Sequence, residues 1–187
     1  MSNVDYVTAA KPKVGGACYV APLGTTAPTD AKSALSSEYI GLGYISEDGV
    51  TNSNSPSSDA KYAWGGDQVA NLDGTRADTF NVTFLESMNP EVLKLYYGDD
   101  NVSGTLESGI TVDAKNVEQE GHVFVFDMLL KNAVERLVIY NGVITSMDDI
   151  SYKGTDIKTL GGTITAFPVD GRTHRSYIIE SVDSSTD

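Results

Sequence analysis

One cysteine and two histidines among 187 residues leave little material for the commonest catalytic and metal-binding chemistries. A lone cysteine, Cys18, forms no internal disulfide, so the sequence carries no framework of the secreted kind and suits assembly in a reducing cytoplasm. A triad needs a histidine base beside a nucleophile and a carboxylate. His122 opens an apolar strand and His174 sits in the basic run Arg172 to Arg175, where both read as edge or surface residues. C-x-x-C and H-E-x-x-H spacings are missing, as are the glycine-rich phosphate loops, so no metal, no cofactor and no enzymatic activity are expected. Basic residues are also scarce: 13 Lys and Arg face 26 Asp and Glu, a net charge of -13. That surplus repels phosphate and acidic lipid headgroups, which argues against tight nucleic-acid binding and against a membrane surface. No apolar run approaches the ~20 residues of a spanning helix, and MSNVDYVTAAKPK does not read as an export signal.

Apolar residues make up 40% of the chain and glycine contributes 18 more, enough for one sizeable core and far from a disordered acidic tail. A single domain over residues 1–187 is the expectation. Residues 1–13 read as an extended N-terminal arm, residues 51–66 as a long polar loop, and residues 181–187 as a flexible tail. Strand-like segments are Val14 to Ala21, whose Gly15-Gly16 pair suggests a bulge, then Tyr39 to Ile45, Val69 to Leu72 and Thr79 to Glu86. They continue through Ile110 to Ala114, His122 to Leu130, Val134 to Tyr140, Val143 to Ile150, Thr159 to Phe167 and Arg175 to Glu180. Lys131-Asn132-Ala133 and Asn141-Gly142 have the length and chemistry of hairpin turns. The run HVFVFDMLL from His122 is apolar on both faces, as in a central strand covered on both sides, either by the helix and a second sheet or by a neighbouring subunit. Asn89-Pro90-Glu91 is a helix start, and the stripe Val92, Leu93, Tyr96, Tyr97 runs to Gly98. Strands outnumber helices heavily, which predicts a mainly β, antiparallel sandwich or barrel with one short flanking α-helix.

The remaining candidates for chemistry are weak. Asp99-Asp100-Asn101-Val102-Ser103-Gly104 copies the first half of a calcium loop, but Ile110 stands where the bidentate glutamate belongs, so it reads as a polar turn after the helix. Glu47-Asp48, Asp99-Asp100 and Asp148-Asp149 are adjacent acids typical of solvated turns. Cys18, within VGGACYVA, reads as a buried, inert thiol. Trp64, the only tryptophan, either plugs the core beneath the long loop or anchors a partner.

In combination, several segments resemble the major tail protein, or tail tube protein, of long-tailed siphophages. They are Lys13 to Ala17, Ala21 to Thr26, Leu42 to Gly49, Asn52 to Pro56, Ala63 to Asp67, the helix Asn89 to Tyr97 with Gly98 to Val102, and Ile164 to Pro168. The resemblance implies a small β-sandwich that forms hexameric rings, stacked around a tape measure protein into the conduit for genome ejection. Its implied partners are copies of itself, the tape measure protein, and the tail terminator and distal tail proteins. It further implies that DNA passes through the lumen without tight binding, that the place is the virion tail, and that assembly is in the host cytoplasm. Subunit-contact candidates are Trp64, Tyr62, Asn52, Asn54, Val14 and Asp127. The contrasting expectation is a carbohydrate- or receptor-binding β-sandwich module, which would stay a discrete monomer or small oligomer with aromatics in a groove.

Overall fold

The computed structural model describes residues 2–13, 17–115 and 118–181. Its strands are β1 (Lys11–Pro12), β2 (Cys18–Pro22), β3 (Ile40–Gly41), β4 (Ile45–Tyr62), β5 (Gln68–Phe84), β6 (Val102–Ser103), β7 (Thr111–Val112), β8 (His122–Leu129), β9 (Ala133–Met147), β10 (Leu160–Ala166) and β11 (His174–Glu180), with one helix, α1 (Pro90–Tyr97). The protein is mainly β, as its composition predicts, with antiparallel pairing throughout. Nine strands form one sheet in the order β3-β2-β8-β9-β10-β5-β4, with β1 added to β8 and β11 to β9.

The two ends of that order meet. Chain running out of β3 donates Leu42 N–H to Cys18 O at 2.9 Å, and Tyr44 O accepts from Leu85 N at 2.9 Å. One segment, Ile40 to Ile45, therefore bonds β2 on one side and β5 on the other, and closes the sheet into a barrel-like body. Closure lets Cys18 and Val20 of β2, Phe80, Val82 and Phe84 of β5, and Phe124 and Phe126 of β8 share one apolar cluster. The helix covers this cluster with Val92, Leu93, Leu95 and Tyr96. Asn89 caps it by accepting from Glu91 N at 3.1 Å, and the helix runs to Gly98, so both boundaries follow the sequence signals. The Tyr96 hydroxyl donates to Leu160 O at 3.1 Å, which ties the helix to β10.

A second, smaller cluster forms on the opposite face of β8, from Val123, Val125, Val138, Ala21 and Tyr39, with Leu35 and Ala27 packed on it. This identifies what covers the doubly apolar strand: the helix on one face and the 23–39 loop on the other, rather than a second sheet or a neighbour. Arg136 and Asp127, opposite one another on β9 and β8, lie on this second face. Asp30 holds the loop's own turn by accepting from Lys32 N and Ser33 N, and these bonds with that from Ser33 Oγ lower its pKa to about 2.

Two strand breaks read from the sequence are absent. Asn141-Gly142 is not a turn, because β9 runs unbroken from Ala133 to Met147, trading partner β11 for β10 along one edge. Glycine is required there by crowding: a Cβ on Gly142 would stand 2.7 Å from Phe124 Cδ2 and 2.8 Å from Ile164 Cγ2. Gly142→Ala is expected to cost about 1–3 kcal/mol by overpacking, read as a lower melting temperature. An unchanged melting temperature would refute the packing account. Likewise the segments expected at Val69 to Leu72 and Thr79 to Glu86 join in one strand, β5, which ends at Phe84, and the hairpin at Leu130 to Ala133 forms as expected, with Leu130 N donating to Ala133 O at 2.8 Å.

Candidate assembly surface

The largest departure from the sequence reading is the polar stretch 51–66. It is not a loop: β4 continues through it to Tyr62 and pairs with β5 as far out as Tyr62↔Gln68. β5 pairs with β10 only from Thr79 to Phe84, so beyond Asp78 the two strands form a free-standing ribbon. Eleven residues from Asp78 to Gln68 carry it about 35 Å from the body at ~3.3 Å per residue. Both faces of the ribbon meet solvent, so serine, asparagine and threonine fill positions where a half-buried strand would alternate with apolar residues. Pro56 is tolerated because it stands at a register shift on an edge strand.

At the tip, Gly66 N donates to Ala63 O and Ala63 N donates to Asp67 O, closing a tight turn in which Gly66 takes φ +90. Trp64 is fully exposed there, and Tyr62 and Val69 stand exposed just behind it. The indole is therefore no core plug. Along the ribbon Asn54 accepts from Arg76, and Lys61 pairs with Asp59.

The root is polar and closed. Asp78 is 1% exposed, and its carboxylate accepts from Asn52 Nδ2 at 2.8 Å and meets His174 Nδ1 at 2.6 Å. The His174 ring stands edge-on to Phe80, with centroids 5.2 Å apart. Residues of β4, β5 and β11 thus converge on one carboxylate and fix the angle at which the ribbon leaves. Burial acts to raise the Asp78 pKa, but hydrogen bonds from Thr173, Asn52 and His174 outweigh it and leave the group below its ordinary value of 3.8. Because the folded state binds this proton less readily than the unfolded chain, the clamp's stabilisation is complete above about pH 4 and lost as pH falls through the folded value. Asp78→Ala, which leaves buried donors without an acceptor, is expected to lower stability by about 1–3 kcal/mol at pH 7. The melting-temperature gap to wild type should shrink below pH 4; a gap constant with pH would overturn the assignment.

Among the long strands of the described residues, two have an open edge. β4 pairs only with β5, and β11 pairs only with β9 while exposing Ile178 and Ile179. The N-terminal segment lies along β8 through Lys11↔Leu129 and Pro12↔Met128, anchored further out by Lys131 N donating to Thr8 Oγ1 at 2.7 Å. It leaves Val4, Tyr6 and Val7 exposed.

Of the contact candidates, Trp64 and Tyr62 share the tip, and Asn52 and Asn54 lie on the ribbon, Asn52 at its root. Val14 lies outside the described residues, as do Gly15-Gly16 and, apart from Ser181, the C-terminal tail. Asp127 proves to be an internal residue. It is 4% exposed, and Arg136 Nε and Nη2 donate to its two carboxylate oxygens at 2.6 and 2.8 Å. Its charge is thus paired within the subunit. No local pattern in the sequence links Asp78 to His174, since 96 residues separate them.

Of the catalytic candidates, His174 is taken up by the Asp78 carboxylate at the ribbon root. Cys18 is fully buried, which pushes its thiol pKa far up. His122 Nδ1 meets only Glu120 O. Asn101 is buried with its amide donating to Tyr97 O at 2.7 Å, which makes the acidic turn a finish to the helix. Among the described residues no group of three or more His, Cys, Asp or Glu converges as a metal site would require.

What the surface presents instead is open strand edges and a solvated ribbon with an aromatic tip, the features of a structural β protein built for contact. The phage tail tube protein family matches residues 3–186, and the chain belongs to that family. It is a structural protein of the phage tail. No curated protein matches it.

Proposed function

We propose that this protein is the repeating subunit of a siphophage tail tube, forming hexameric rings that stack into the conduit for genome ejection. The observation that carries this reading is the ribbon β4–β5, about 35 Å of paired strand that extends beyond the last pairing with β10 and ends in a bare tryptophan. An element of that size is justified energetically only if another subunit covers it. The open edges of β4 and β11 give six copies a way to join strand to strand, which removes edges that would otherwise template aggregation. Within the tube the tape measure protein fills the lumen before DNA does, and the terminator and distal tail proteins cap the two ends. The net charge of -13 suits such a channel, because a lining that repels phosphate lets DNA pass without being held. The reading involves no active site, with assembly in the host cytoplasm.

Negative-stain microscopy of the purified protein tests this directly. Tubes with six-fold end views are expected, more abundant at higher salt, where repulsion between like-charged subunits is screened. A monomer that stays monodisperse at every salt and protein concentration would overturn the reading and favour a discrete binding module.

A further inference from the structure

β10 and β11 lie one after the other along a single edge of β9, β10 against Gly142 to Met147 and β11 against Ala133 to Ile139. β5 occupies the next lane out, beside β10, as far as Thr79. Continued straight, its outer half would run beside β11. Instead the outer half of β5 pairs only with β4, and β11 pairs only with β9, so two edges of one sheet face each other unpaired. At the corner between them His174 Nδ1 meets the Asp78 carboxylate at 2.6 Å.

We propose that in the unassembled subunit the outer ribbon closes onto β11, so that the chain caps the edge through which subunits would otherwise join. The role given to that edge rests on the tube reading, and the closure itself rests on how the two strands match. β5 runs antiparallel to β10, and β10 and β11 both run antiparallel to β9, so β5 and β11 are already oriented as an antiparallel pair. Their backbone phases match as well. Leu85 N donates to Tyr44 O, so odd-numbered residues in the inner half of β5 turn their backbone groups to β4 and even-numbered ones to the lane of β10 and β11. Ser181 N donates to Asn132 O, which by the same alternation turns the even-numbered residues of β11 outward to meet them. The side chains agree, because Asp78 and Phe80 of β5 and His174 of β11 all meet on the inner face.

The register sets the levels. Thr165↔Thr79 and Ala166↔Gly142 place Asp78 level with Gly142. β9 carries an extra residue next, three steps from Gly142 to Ile139 against two from His122 to Phe124, so His174, opposite Ile139, stands level with Arg76. Farther out β5 carries an extra residue of its own, three steps from Arg76 to Asp73 against two from Pro56 to Ser58. Closure therefore sets Asp73 opposite Ser176, Asn71 opposite Ile178 and Ala70 opposite Ile179. An extra residue bends its strand, and flexing at this bulge swings the outer ribbon while the Asp78 clamp stays shut. The exposed Ile178 and Ile179 are then covered, and an edge that templates aggregation is hidden until a neighbour takes the ribbon's place.

The test uses full-length chains. Ala70→Cys with Ile179→Cys face each other across a non-hydrogen-bonded pair, where Cα atoms stand about 4.5 Å apart, within disulfide reach. Ala70→Cys with Arg175→Cys lies on the same face but four residues out of register, about 13 Å farther along at ~3.3 Å per residue. Cys18 is fully buried and contributes no background. Under mild oxidation of dilute monomer, the 70–179 disulfide is expected to form about tenfold or more faster than the 70–175 disulfide, and the 70–179 protein should assemble only after reduction. In wild-type monomer the Ser176 and Ile178 amides should exchange about tenfold or more slower than those of an unpaired edge. Equal rates for the two cysteine pairs, or unprotected amides at Ser176 and Ile178, overturn the closure while leaving the tube reading intact. Oxidised 70–179 protein that assembles as readily as reduced protein overturns the capping role. Wild-type protein that forms no tubes under any condition overturns the tube reading, and the cross-link and exchange results still decide the closure.

Discussion

Asp127→Ala should destabilise the body by about 3–5 kcal/mol, because it strands the Arg136 guanidinium in an apolar layer without its counter-charge. Arg136 is only 1% exposed, and beyond its two bonds to Asp127 it donates Nη1 to Asp30 O at 3.1 Å and to Ser33 O at 2.9 Å. The same side chain therefore joins β8 to β9 and fastens the 23–39 loop over Val123, Val125 and Val138. In a chain of this length the loss corresponds to a fall in melting temperature of roughly 10 °C. Replacing both partners with apolar residues, Asp127→Leu with Arg136→Met, should recover much of it, since neither charge is then buried alone. Thermal unfolding of the single and double variants checks both statements. A single-variant loss below about 1 kcal/mol would show that the pair is not the loop's anchor.

Ile178→Pro should abolish ring and tube formation while the body still folds. Ser181 N donates to Asn132 O and Thr173 O accepts from Tyr140 N, so odd-numbered residues of β11 turn their backbone groups toward β9. Alternation then turns the N–H of Ser176, Ile178 and Glu180 outward, along the open edge. Proline at 178 removes an outward donor and blocks edge pairing, yet leaves the β9 ladder whole. Tyr177→Pro strikes an inward donor and should lower the melting temperature of the body itself. Far-UV circular dichroism and calorimetry establish folding, and microscopy with sedimentation reads assembly. Normal rings from Ile178→Pro would exclude the β11 edge as the joint between subunits.

The body was largely legible in the sequence because its elements obey periodic rules. Phe80, Val82 and Phe84 alternate with Thr79, Asn81 and Thr83 as a half-buried strand does, and Asn89-Pro90 with Gly98 brackets the helix on the structure's own bounds. The ribbon was illegible for the opposite reason. With solvent on both faces, TNSNSPSSD has no apolar alternation to display, and a solvated strand carries the composition of a loop. Asn141-Gly142 misled because glycine serves two needs that look alike in sequence, left-handed backbone in a turn and close approach in a packed strand. The polar root around Asp78 depends on residues brought together only by sheet closure. Nothing local in the chain announces it.

Closure of the sheet also decides how the protein carries load. The segment that seals the barrel between β2 and β5 leads without interruption into β4, so the ribbon is the running end of the wall and not an appendage hinged to it. Tension applied at Trp64 enters the body along β4 and β5 together and is borne lengthwise across the ladder that β5 shares with β10. Hydrogen bonds loaded in that direction resist as a group, whereas a hairpin hung from a single edge would peel one bond at a time.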